Sequence, residues 1–154
     1  MKFISLIFIL LLLFVCIDLS LTFHSIQNKQ TQKYLITSKQ QNSNSDRVKT
    51  DFIHSNPLLW LHKQWSNGYM FLVHVNSHKC LTANRDNNMI VYVTYCNAGY
   101  YQQWKYNSDK TIENRGNGYC LTNNEQENVF MDKCGRSGNT GYQTWIYNNK
   151  HYLL

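Results

Sequence analysis

The feature that most limits how this chain can fold is that it repeats itself. "CNAGYYQQW" (96–104) and "CGRSGNTGYQTW" (134–145) each run from a cysteine to a Gln-x-Trp triplet, ending at Trp104 and Trp145. "CLT" stands at 80–82 and again at 120–122, and Trp65, Trp104 and Trp145 are 39 and 41 residues apart. A period near 40 residues marks a supersecondary unit that cannot bury its apolar face alone and stacks on its neighbours to do so.

Inside each copy a strand-like stretch leads to the second cysteine: "VYVTYC" (91–96) and "VFMDKC" (129–134). A degenerate first copy precedes them. Ile26 stands eight residues before Tyr34 as Ile112 does before Cys120, so Tyr34 holds the first cysteine position. Val48 aligns with Val91 and Val129, which puts Ile53 at the second cysteine position; "KQW" (63–65) closes the copy, with Lys63 in place of glutamine. Both cysteines are missing together, as expected of a pair within one copy. The stretches "MFLVHV", "MIVYV" and "VFM" are β-branched and aromatic, separated by amide- and glycine-rich turns, and no segment keeps a helical period. Three such copies predict a closed, pseudo-threefold all-β unit.

The N-terminus carries an address. Lys2 precedes an apolar run of 15 residues, "FISLIFILLLLFVCI" (3–17). That is short for a membrane span of about 20 residues and suits a signal peptide cut near Phe23; an uncleaved anchor is the rival reading. Cleavage removes Cys16 from the five cysteines and leaves Cys80, Cys96, Cys120 and Cys134. An even count in an exported chain reads as disulfides. Zinc is the alternative, but no Cys-x-x-Cys is present. His74 and His78 lie on a strand and turn and read as surface histidines. The net charge of +6 is scattered, which argues against a nucleic-acid stripe.

"CL", a valine-led strand, a second cysteine and Gln-x-Trp, repeated, resemble the ricin B-type β-trefoil (Q-x-W) lectin domain. The resemblance covers residues 23–154, behind a signal peptide over 1–22, with repeats at about 23–65, 66–104 and 105–154. It implies a β-trefoil fold, disulfides Cys80–Cys96 and Cys120–Cys134, and Trp65, Trp104 and Trp145 as structural core.

It also implies a sugar-reading set in each copy: an aspartate after "C-L", an aromatic residue two places before the second cysteine, and an asparagine before the Q-x-W glutamine. This chain departs at each. The aspartate slots hold Ile36, Thr82 and Thr122, the stacking slots Asp51, Thr94 and Asp132, and the asparagine slots His62, Tyr101 and Tyr142. Gln102 and Gln143 remain. The expectation is therefore a secreted glycan-binding protein with altered sites and no affinity for simple galactose. The candidate contacts are Asn123, Asn124, Asp132, Tyr142 and Gln143 in copy three, and Asn84, Asp86, Tyr101 and Gln102 in copy two. A non-lectin trefoil that binds a protein partner in an extracellular assembly is the alternative. An enzyme is not expected: three glutamates and five aspartates follow residue 22, without a nucleophile–base motif. No cofactor, metal or nucleic acid is expected either.

Overall fold

A computed structural model of the chain describes residues 22–38, 45–53, 59–84, 89–135 and 141–151. The signal-peptide region lies outside them except for Thr22. Among the described residues there are twelve strands and one short 3-10 turn, Tyr100–Gln102. In chain order the strands are β1 (Thr22–Asn28), β2 (Tyr34–Ser38), β3 (Asp46–Asp51), β4 (Trp60–Gln64), β5 (Met70–His74), β6 (Cys80–Ala83), β7 (Val91–Thr94), β8 (Trp104–Tyr106), β9 (Ile112–Asn114), β10 (Tyr119–Asn123), β11 (Val129–Lys133) and β12 (Trp145–His151). No described helix is long and apolar enough to cross a membrane.

Six strands, β1, β4, β5, β8, β9 and β12, build a closed barrel. Its first and last strands pair antiparallel over seven residues, from Thr22 opposite His151 to Asn28 opposite Trp145. The other six form three hairpins, β2–β3, β6–β7 and β10–β11, which cap it. The hairpins lock to one another. Asp46 faces Val93, Ile90 bridges Phe130, and Lys49 bridges Asn128, so each touches the other two.

Period-2 alternation sends one side chain in two inward, and the inward set forms the core. Ile26, Leu72 and Ile112 come from barrel strands, and Leu35, Leu81 and Leu121 from one strand of each hairpin. Val48, Val91 and Val129 come from the other strand of each hairpin. Three tryptophans complete it. The indole N–H of Trp104 donates to the Leu81 carbonyl at 2.9 Å and that of Trp145 to the Leu121 carbonyl at 2.8 Å. This is how a side chain with one donor is fully buried.

The third of these tryptophans corrects the sequence expectation. It is Trp60, fully buried, its indole N–H on the Leu35 carbonyl at 2.9 Å. Trp65 lies past the end of β4 and is 45% exposed. A second bond confirms the register: the backbone N–H groups of Val75, Arg115 and Lys29 donate to the carbonyls of Leu59, Gln103 and Thr144, each the residue before a buried tryptophan. "KQW" mimics the motif in letters, but the chain reaches the core five residues earlier. Beyond Trp65 the β4–β5 hairpin turns at Asn67 and Gly68, with φ of 58° and 75°. Asn-Gly suits such a left-handed pair.

Both disulfides form as the resemblance implied, Cys80–Cys96 and Cys120–Cys134, with Cα atoms 5.1 and 5.0 Å apart. Each ties the start of a hairpin to the segment that leaves it. Loop-closure reasoning gives each about 3 kcal/mol. His74 departs from expectation: it is buried, its ring bonded to Ser77 Oγ at 2.9 Å and Thr37 Oγ1 at 3.3 Å.

Candidate functional site

The two Q-x-W glutamines are structural. Gln143 is buried; its Nε2 donates to Thr122 Oγ1 at 3.1 Å and to the Lys133 carbonyl at 3.0 Å, and its Oε1 accepts from Gly135 N–H at 3.0 Å. Gln102 repeats the pattern, with Thr82 Oγ1 at 3.1 Å, the Tyr95 carbonyl at 2.9 Å and Asn97 N–H at 2.8 Å. Thr82 and Thr122 in turn donate to the carbonyls of Cys80 and Cys120, both at 2.9 Å. The slot that would present an outward aspartate therefore holds an inward threonine. It locks the glutamine, which locks the loop behind the disulfide. Neither glutamine amide has a donor left for a ligand.

The open polar cluster lies a few residues away, on the β10–β11 hairpin. A hollow of about 250 Å³ is walled by Asn123, Asn124, Glu125, Gln126, Phe130 and Tyr142. Tyr142, on the segment before β12, donates its phenol to Glu125 Oε1 at 2.8 Å. That bond to the carboxylate raises the Tyr142 phenol above its ordinary value. Asn123 forms the base. It is buried, bonded to Thr50 Oγ1 at 3.1 Å and Thr31 Oγ1 at 2.9 Å, and its backbone N–H holds the Tyr142 carbonyl at 3.0 Å. Asn124 turns the hairpin, its Oδ1 accepting from Asn128 N–H at 2.9 Å. Its Nδ2 has no partner among the described residues. Phe130 supplies the apolar wall.

Of the copy-three residues expected from sequence, Asn123, Asn124 and Tyr142 meet in this hollow. Asp132 and Gln143 are not among its walls, and one Asp132 oxygen accepts from Lys133 N–H at 2.8 Å. Glu125, Gln126 and Phe130 were missed. Phe130 is two residues before Asp132 on the same face of β11, so the aromatic sits one step along the alternation from its expected slot.

The β6–β7 hairpin has a counterpart hollow of about 240 Å³, lined by Ser45, Arg47, Asn84, Ile90 and Tyr92. Tyr92 and Phe130 hold the same register, opposite Thr82 and Thr122. Asn84 is there; Tyr101 is not. The Tyr101 ring packs over Gly116, where an added Cβ would lie 2.7 Å from a ring carbon. Asp86 lies outside the described residues. His62 is on β4, its ring 5.6 Å from His24 and 6.5 Å from Tyr147, away from both hollows. No group of three or more His, Cys, Asp or Glu among the described residues is placed to hold a metal ion.

A barrel capped by three interlocked hairpins, with a tryptophan from under each hairpin in a common core, defines a β-trefoil. The model of the ricin-type beta-trefoil lectin domain matches residues 66–154, more than half of the chain. The chain belongs to that family. No curated protein matches it in sequence. Among solved structures it is similar to the designed threefold-symmetric protein ThreeFoil, with TM-score 0.69 and 20% identity over 81% of this chain and 96% of that one. It is also similar to a salivary protein from Culex quiquefasciatus of the Cysteine and Tryptophan-Rich family, with TM-score 0.66 and 15% identity over 83% and 92%. A Polyporus squamosus lectin, solved bound to the epitope Neu5Aca2-6Galb1-4GlcNAc, gives TM-score 0.66 and 14% identity over 83% of this chain. The chain spans only 48% of that lectin.

Proposed function

We propose that this chain is a secreted, non-catalytic glycan-binding protein. In this reading residues 1–22 are a cleaved signal peptide and residues 23–154 form three repeats of about 40 residues. It reads sugar at the β10–β11 hollow and not through the family's usual slots. The observation that carries the reading is the meeting of Tyr142, Glu125 and Phe130 beside the open Asn124 amide. An aromatic wall takes the C–H face of a sugar ring. A carboxylate accepts from hydroxyls through charge-assisted bonds, and an amide donates to ring substituents. Glu125 supplies the negative charge that Thr122 cannot. The hollow is smaller than a drug-sized pocket of roughly 300–1,000 Å³ and suits a single terminal sugar unit. Family membership, and a relative solved with a glycan, support the class of ligand.

A glycan array on the exported protein, followed by titration calorimetry with the best hit, tests this. Glu125→Ala and Tyr142→Ala each remove a contact made to the ligand and should weaken binding about tenfold or more, with the melting temperature kept. Lactose should bind no better than millimolar. A silent array, with a protein captured specifically by the same bait, would replace this reading by the interaction-module alternative.

A further inference from the structure

The β4–β5 hairpin carries a face that neither the core nor the β10–β11 hollow uses. Trp60, Met70 and Leu72 point into the core. The alternate residues point outward: Leu61 opposite Val73, Lys63 opposite Phe71, and Trp65 beyond them. Together with the Cys80–Cys96 disulfide, His78 and Asn97 they line a groove of about 600 Å³. Trp65 is its exposed aromatic, held edge-on to Phe71 with ring centroids 5.0 Å apart. The side chain that failed to reach the core is thus a platform on the surface.

Among the described residues, each polar side chain around this apolar floor carries a donor, and the Asn97 Oδ1 is taken by Gly99 N–H at 2.9 Å. Among the described residues Lys63 Nζ, Trp65 Nε1 and Asn97 Nδ2 have no hydrogen-bond or ion-pair partner, and neither does the His78 ring. No carboxylate lines the groove among the described residues. An apolar peptide seated here would leave those donors desolvated and unmet, at a cost. A neutral sugar would gain nothing from the lysine charge. A ligand with a flat C–H face and an anionic group satisfies both parts.

We propose that this groove is a second saccharide site, selective for an acidic sugar. The pyranose ring lies on Trp65. Its carboxylate or sulfate is taken by Lys63, with Asn97 and His78 as further donors. The site shares no residue with the β10–β11 hollow, so each can fail without the other.

Acrylamide quenching of tryptophan fluorescence reads the groove directly, because Trp60, Trp104 and Trp145 are fully buried and Trp65 is not. Three probes separate the chemistries: a glucuronate-containing disaccharide, a disaccharide carrying O-sulfate but no carboxylate, and lactose. One or both acidic probes should shield Trp65, and the one that does identifies the anion; lactose at equal concentration should not. By calorimetry Lys63→Ala should weaken the acidic probe about tenfold or more, and Trp65→Ala should abolish its binding with the melting temperature kept. Tyr142→Ala should leave it unchanged. Shielding by lactose equal to that by the acids would overturn the proposal. So would no shielding by either acid at millimolar concentration, or full affinity in Lys63→Ala.

Discussion

At the scale of the residue, two tryptophans five positions apart have opposite roles. Trp60 is enclosed and donates to a backbone carbonyl; Trp65 rests on one phenylalanine and meets solvent. Truncating an enclosed aromatic costs its transfer energy plus the cavity it leaves. Trp60→Ala, Trp104→Ala and Trp145→Ala should each destabilise by roughly 3–5 kcal/mol in chemical denaturation. Trp65→Ala should stay within about 1 kcal/mol of the parent, as partly exposed positions do. Equal losses at Trp60 and Trp65 would show that the register argued from the Leu35 and Leu59 carbonyls is wrong. Sequence could not separate the two. Two leucines precede Trp60 where the other copies have Gln-x, and a glutamine next to Trp65 imitates the motif. What distinguishes them is a backbone carbonyl that comes within reach only after folding. Cysteines and valines were better guides, since covalent spacing and strand alternation are properties of the chain itself.

At the scale of the element, one anchor recurs in a modified form. Asn28 and Asn114 stand two residues after Ile26 and Ile112, and each holds the loop before a buried tryptophan. Asn28 Nδ2 donates to the Tyr142 carbonyl at 2.8 Å and Asn114 Nδ2 to the Tyr101 carbonyl at 2.9 Å. On β5 the position two after Leu72 is His74. Burial lowers its pKa, opposed more weakly by the Asp46 charge. His62 is lowered too, first by burial and then by the nearby His24. A histidine whose folded pKa lies below the unfolded value of about 6.5 takes up its proton in the unfolded chain first. Stability is therefore complete above that value and falls as pH drops through the folded pKa. Melting temperature should decline between pH 7 and pH 5. His74→Asn, which restores the residue used at the other two anchors, should flatten that decline. An unchanged pH profile in the variant would remove His74 as a source. The hollow at β10–β11 belongs to this scale as well, and here sequence fell short. Asn124 and Tyr142 were legible as polar and aromatic groups near a slot. Glu125 and Phe130 were not, because which hairpin side chains converge depends on register and on Thr122 turning inward.

At the scale of the whole molecule, the pairing of β1 with β12 decides when the fold can exist. Residue 22 lies beside residue 151, so the barrel closes only once both ends of the described chain are available. Non-local closure of this kind carries its entropic cost before its contacts reward it. Adjacent ends also mean that the order of the elements around the barrel matters more than where the chain is cut. A circular permutant joining residues 22 and 151 through a short glycine-serine linker, and opened in the Asn67–Gly68 turn, should fold with both disulfides intact, as mass mapping would show. Failure to fold would mean that the β4–β5 turn is needed to start assembly. For the native chain the consequence is temporal. The six strands of the barrel cannot close while the last of them is still being synthesised or threaded through a pore. In the secreted reading proposed above, the molecule would cross a membrane as an open chain and acquire its shape on the far side, where Cys80, Cys96, Cys120 and Cys134 would meet an oxidant.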